Sequence, residues 1–216
     1  MKKIIAVLLT AILAVSLAAC GGSDAGTTAV QDTTKAAASE AKESSDAQAA
    51  GETYTVGICQ LVQHDALDAA TEGFKDAITE ALGADAVTFD EQNAQGDSNT
   101  CSTIINSFVS NDVDLILANA TAALQAAQAG TNEIPVLGTA VTEYGVALGI
   151  DGFDGLVGGN ISGTSDLAPL DEQAAMLHEL FPDAKNVGLL YCSAEANSQY
   201  QVDTVKAALE EMGYTC

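Results

Sequence analysis

The chain has 216 residues, of which 48% are hydrophobic, 30 are Asp or Glu, and seven are Lys, with no Arg or Trp; its formal net charge is −23. That apolar content supports a globular body. So acidic a chain excludes nucleic-acid binding through its general field, because phosphate repels it.

Met1-Lys2-Lys3 opens the chain, and Ile4 to Ala19 follows as 16 uncharged residues. A spanning helix needs roughly 20 apolar residues, so residues 1–19 read as a secretory signal. Leu17-Ala18-Ala19-Cys20 resembles a bacterial lipobox. Small residues at 18 and 19 fit a peptidase pocket, and the Cys20 thiol is the nucleophile that takes a diacylglyceryl group of the palmitate kind. The bland alternative is a plain signal peptide with an incidental cysteine. Two or more acyl chains anchor stably where one does not. The expectation is a chain lipidated at Cys20 and held on the extracytoplasmic face of a bacterial membrane. Removing Lys2 and Lys3 leaves five Lys against 30 acids, 5 − 30 = −25. Residues 20–53 hold almost no large apolar side chain and read as the lipidated cysteine and a flexible tether.

From Tyr54 the pattern alternates. Residues 54–59 read as a strand, 65–82 as an amphipathic helix with Leu67, Ala70, Phe74, Ile78 and Leu82 on one face, and 86–89 as a second strand. A helix over 97–110, a strand over 114–118, a helix over 121–129 and a strand over 134–138 follow. Residues 147–162 are Gly-rich and read as an irregular crossover. A helix over 170–181, an apolar strand over 186–191 and a helix over 196–212 come next, and 213–216 reads as a strand just starting. Near-continuous apolar strands alternating with helices imply an α/β fold with a doubly wound parallel sheet. Residues 54–163 make a first lobe and 164–216 a partial second one, so the chain reads as truncated at its C-terminus.

No GxGxxG, P-loop or HExxH motif is present, and no Ser/His/Asp grouping is defensible, so no cofactor, metal or enzymatic role is expected. Of five cysteines, Cys20 is assigned to lipid. Cys59, Cys101, Cys192 and Cys216 form no close pair and no CxxC, which favours free thiols. Cys59 and Cys192 fall at the ends of apolar strand patterns, where a buried thiol is ordinary.

In an open parallel sheet, ligands bind beyond the carboxyl ends of the strands. The segments there carry amides, hydroxyls and carboxylates: Gln60 and His64 after the first strand, Asn93 and Gln95 after the second, Asn119 and Thr121 after the third, Thr139 and Val141 after the fourth. Asp166 follows the crossover, and Glu195, Asn197 and Ser198 follow the strand at 186–191. Several of these segments open helices, whose free N–H groups favour a bound carboxylate. Asp166 or Glu195 could meet an ammonium group. The collection suits a small zwitterion. Asp65, Asp97 and Thr121 are better read as helix caps than as ligands.

At these segments the sequence resembles the bacterial ABC-transporter substrate-binding proteins of the tryptophan/tyrosine type, with a type I periplasmic-binding-protein fold. The resemblance rests on Val56-Gly57-Ile58-Cys59-Gln60, His64 with Ala66 to Ala69, Gly73-Phe74, Asn93 to Asp97, Pro135-Val136, Thr139 to Thr142, Asn160 to Asp166 and Ser193 to Ser198. It departs at Asp65, where a proline is expected. The resemblance implies two lobes closing on an amino acid, aromatic or otherwise, and delivery to an ABC permease with a cytoplasmic ATPase. A ligand sensor signalling to a membrane receptor is the alternative.

Overall fold

In the computed structural model, residues 51–216 are described; the signal over 1–19, lipidation at Cys20 and the tether up to residue 50 lie outside them. Tyr54–Gln60 forms strand β1, followed by helix α1 (Asp65–Leu82), a 3-10 turn (Ala84–Ala86) and β2 (Val87–Asn93). Then come α2 (Ser98–Ser110), β3 (Leu115–Asn119), α3 (Thr121–Gly130), β4 (Val136–Val141), α4 (Tyr144–Leu148) and β5 (Ile161–Ser165). Helices α5 (Leu170–Leu180) and α6 (Ala196–Glu211) complete the described residues.

The five strands form one parallel sheet in the order β2-β1-β3-β4-β5. This is the doubly wound arrangement expected from the alternation of strands and helices. Side chains alternate along each strand, so one sheet carries two cores. Val56 and Ile58 of β1 and Leu117 of β3 pack with Phe74 of α1 on one face. Cys59, Ile116, Ala118 and Val136 pack with Ile104, Ile105 and Phe108 of α2 and Leu124 of α3 on the other. A third cluster lies between α5 and α6, around Ala174, Leu209 and Tyr214.

Besides the 3-10 turn, two elements are additional to the sequence reading. Helix α4 is a five-residue helix whose Glu143 cap accepts from the N–H groups of Gly145 and Val146. Strand β5 lies inside the expected crossover. The Tyr144 hydroxyl donates to Gly138 O at 3.0 Å and reaches Thr164 O at 3.2 Å, tying the edge strand to β4. Burial raises the Tyr144 pKa, so the phenol stays protonated as a donor.

One expected strand is absent. Residues 186–191 form no ladder; Asn186 makes a single parallel bridge with Thr215. The Val187 N–H donates to Thr215 O and the Thr215 N–H to Lys185 O, both at 2.9 Å, and the pairing stops there. No other described strand lies beside this run, and Leu190 stands fully exposed. Apolar content alone does not make a strand without a partner to bond. Cys192 is correspondingly exposed rather than buried at a strand end.

Candidate ligand-binding cleft

Three helices begin around one cavity of about 240 Å³. Gly96 and Ser98 bring the start of α2, Ala120, Thr121 and Ala122 the start of α3, and Ala194, Glu195, Ala196 and Asn197 the start of α6. Leu61, Gln125, Ala140 and Cys192 complete the wall. The starts of α3 and α6 carry no side-chain cap and so present unsatisfied N–H groups at a positive dipole end, which suits the cavity to an anionic group. The carboxylate in its wall is Glu195. It precedes α6 but makes no capping hydrogen bond, which leaves it available to a cation.

Backbone conformation marks the same place. Ala120 (φ 91°) and Ala140 (φ 52°), at the ends of β3 and β4, lie in the left-handed region that alanine seldom adopts. Both line the cavity. Strain of this kind collects where a site needs an unusual backbone path.

Of the residues singled out from sequence, Thr121, Glu195 and Asn197 come together here. Gln60, Asn93 and Gln95 line a different groove, of about 690 Å³, with Asp68, Glu72 and Glu91. Its three carboxylates repel the anionic end of a zwitterion, so the smaller cavity is the better site despite its size. Asn93 Oδ1 accepts from the Gln95 N–H and shapes that turn.

The remaining candidates are placed elsewhere. Asn119 is buried beneath α1, together with most of Gln60 at the floor of that groove. Gln60 Nε2 donates to Asp68 at 2.6 Å, and Thr71 Oγ1 donates to Gln60 Oε1 at 2.7 Å. Asn119 Nδ2 donates to Leu67 O and Thr71 Oγ1, each at 2.9 Å. Val141 is fully buried in the core. Thr139 is half-buried on β4, and Asp166 is exposed, its N–H bonded to Val141 O. Ser198 Oγ accepts from the Cys192 N–H at 3.0 Å and holds the loop before α6.

Caps are partly as expected. Asp97 caps α2, accepting from the N–H groups of Asn99 and Thr100. Asp65 is not the cap of α1: His64 takes that place, its Nδ1 accepting from the Ala66 N–H at 3.2 Å. Thr121 is likewise the first helical residue, after the strained Ala120.

The sequence reading did not single out Ser98, Ala122, Gln125 or Ala140 as site residues. Three of these, Ser98, Ala122 and Ala140, are small, and no motif announces them.

A family profile described as ABC transporter substrate binding protein matches residues 55–216. A curated tyrosine-binding protein from Clostridioides difficile (strain R20291) is 35% identical over 216 residues, covering 99% of this chain and 59% of that protein. Among solved structures, an ABC domain in complex with L-Trp from Streptococcus pneumonia aligns with a TM-score of 0.70 at 33% identity, over 76% of this chain and 56% of that one. The ligand-free, open structure of a substrate binding protein with adhesive properties from Clostridium difficile aligns with a TM-score of 0.58 at 38% identity, over the same shares. The chain thus spans less than two thirds of the length of these relatives.

Proposed function

This chain belongs to the ABC transporter substrate-binding protein family, and on that footing we propose that it captures an amino acid, an aromatic one first, for a membrane permease driven by a cytoplasmic ATPase. Members of the family bind substrates and do not transform them. The observation that carries the reading is the meeting of three helix starts and an uncapped Glu195 around one small cavity. The α-carboxylate of the ligand sits at the starts of α3 and α6, where uncapped N–H groups donate to it. Its ammonium group faces Glu195. Its side chain lies against Leu61 and the alanines of the wall. At about 240 Å³ the cavity is below the roughly 300–1,000 Å³ of drug-sized pockets, which suits one small metabolite. The aromatic preference rests on the relatives that bind L-Trp and tyrosine.

Thermal unfolding against the twenty amino acids tests the reading. Binding to the native state alone stabilises by about 2.7 kcal/mol at a hundredfold excess over Kd. We expect an upward shift in Tm with tyrosine or tryptophan, and a Kd weakened about tenfold or more in Glu195→Gln, since a charge-assisted hydrogen bond is worth about 1.5–3 kcal/mol. The ligand-free Tm should barely change, because Glu195 caps nothing. A cooperative melt that no amino acid moves would refute the proposal.

The same reading places the protein outside the cytoplasm, with lipid on Cys20 as its anchor. Acyl labelling of the full chain should mark the protein and send it to the membrane fraction. Cys20→Ser should lose both the label and the membrane fraction. Retained label in that variant would remove Cys20 as the attachment point.

A further inference from the structure

We propose that Cys59 and Cys101 form a redox pair that closes to a disulfide between the centre of the sheet and the first turns of α2. In sequence they are 42 residues apart, which is why spacing favours free thiols. The fold brings them together. Cys59 is the penultimate residue of β1, the strand between β2 and β3, and its side chain enters the α2 face of the sheet. Cys101 lies near the start of α2 in the same core cluster. Both are 0% exposed and free, and each is the neighbour that most perturbs the other's ionisation.

The Cys101 thiol beside it, together with burial, holds the Cys59 thiol well above its ordinary range, and Cys59 in turn lowers the Cys101 thiol. Cys101 stands in the first turns of α2, the segment whose opening exposes it, and is the attacking sulfur. With oxidised glutathione as oxidant, the Cys101 thiolate attacks one glutathione sulfur and expels the other as a thiolate. Cys59 then gives up its proton and attacks Cys101 sulfur in the mixed disulfide, releasing the second glutathione. Two protein thiols are oxidised, one glutathione disulfide is reduced, and both protons end on glutathione.

Neither sulfur is reachable in the closed fold, so the pair closes during folding or through local opening of the start of α2. Once formed, the bond fixes the segment that brings Gly96 and Ser98 to the ligand cavity. Its persistence in the cell rests on the extracytoplasmic placement proposed above, where disulfides survive. Its formation does not.

The test uses the full chain, refolded from denaturant with oxidised and reduced glutathione, alkylated and mapped by mass spectrometry without reduction. The expected product joins the Cys59 and Cys101 peptides and is about 2 Da lighter than the pair of thiols. Reduction should lower Tm by about 5–15 °C, the scale set by a closed loop of this length. Cys59→Ala/Cys101→Ala should show no reductant-dependent shift. Recovery of both residues in alkylated form, or cross-linked only to other cysteines, would overturn the proposal, and the peptide map gives that answer even if the double variant fails to fold. Because no amino acid is added, failure here leaves the ligand reading untouched.

Discussion

Phe108→Ala is expected to cost about 3–5 kcal/mol, the range for removing a buried aromatic ring. Phe108 is 0% exposed and is among the largest fully buried side chains. It stands on α2 and packs over β1 at Gly57, where the sheet has no side chain of its own. A Cβ placed on Gly57 would meet the ring at 2.7 Å. The ring therefore fills space that glycine leaves open, and its loss opens a cavity between helix and sheet. Against a total stability of about 5–15 kcal/mol, this is a large share. For a chain of this size it corresponds to a fall in Tm of about 10 °C or more. The pair also makes a sharper prediction. Gly57→Ala alone overpacks the site and should cost about 1–3 kcal/mol. In the Phe108→Ala background the same methyl enters a void and should cost little or even restore stability. Strict additivity in a denaturant-unfolding cycle would show that ring and glycine do not share this space.

The same packing explains what could be seen in the sequence. β1, β3 and the helices between them carry long apolar runs or helical periodicity, and their order alone implied the parallel sheet. β5 reads Ile161-Ser162-Gly163-Thr164-Ser165, with one buried residue in five. Its place comes from pairing with β4 and from the Tyr144 hydroxyl, neither of which has a local pattern. α4 is too short to show a helical period. The run at 186–191 has the composition of a strand but only a single-residue bridge to Thr215.

The candidate site was legible by segment and much less so by residue. Reading the carboxyl ends of the strands led to the loops that line the candidate cavity. It could not tell which way each terminal side chain points. Gln60 and Asn119 end adjacent strands in direct register. Both follow the parity of Ile58 and Leu117, which face α1. They therefore turn under α1 instead of toward the starts of α2 and α3. A shift of one position along a strand changes its face, and polarity alone does not reveal the phase. Glu195, Asn197 and Thr121 line the candidate cavity because helix starts place them irrespective of strand phase.

The polar group beneath α1 gives the second large effect. Asn119→Asp is expected to destabilise the protein by about 3–5 kcal/mol at neutral pH, the cost of an uncompensated buried charge. Asn119 is 0% exposed. Its Nδ2 donates to Leu67 O and to Thr71 Oγ1, whose own proton goes to Gln60. Its Oδ1 has no hydrogen-bond partner. A carboxylate in this position would set one oxygen against a carbonyl and leave the other without a donor. Desolvation and the facing acceptor both raise its pKa in the folded state. The protonated form can still donate to Leu67 O, so the folded state holds its proton to a higher pH than the unfolded chain does. Stability relative to the parent should therefore be nearly unaffected below the unfolded pKa of about 3.9. It should fall by about 1.4 kcal/mol per pH unit above that, until the folded-state carboxyl ionises. Asn119→Leu is the contrast. It orphans the same carbonyl without adding a charge, so its loss should be constant across pH. Urea unfolding of the three proteins from pH 4 to 8 separates these outcomes. If Asn119→Asp runs parallel to the parent over that range, the new carboxylate has reached solvent or a donor, and the sealed network under α1 is not what holds Gln60 and Asn119 away from the cleft.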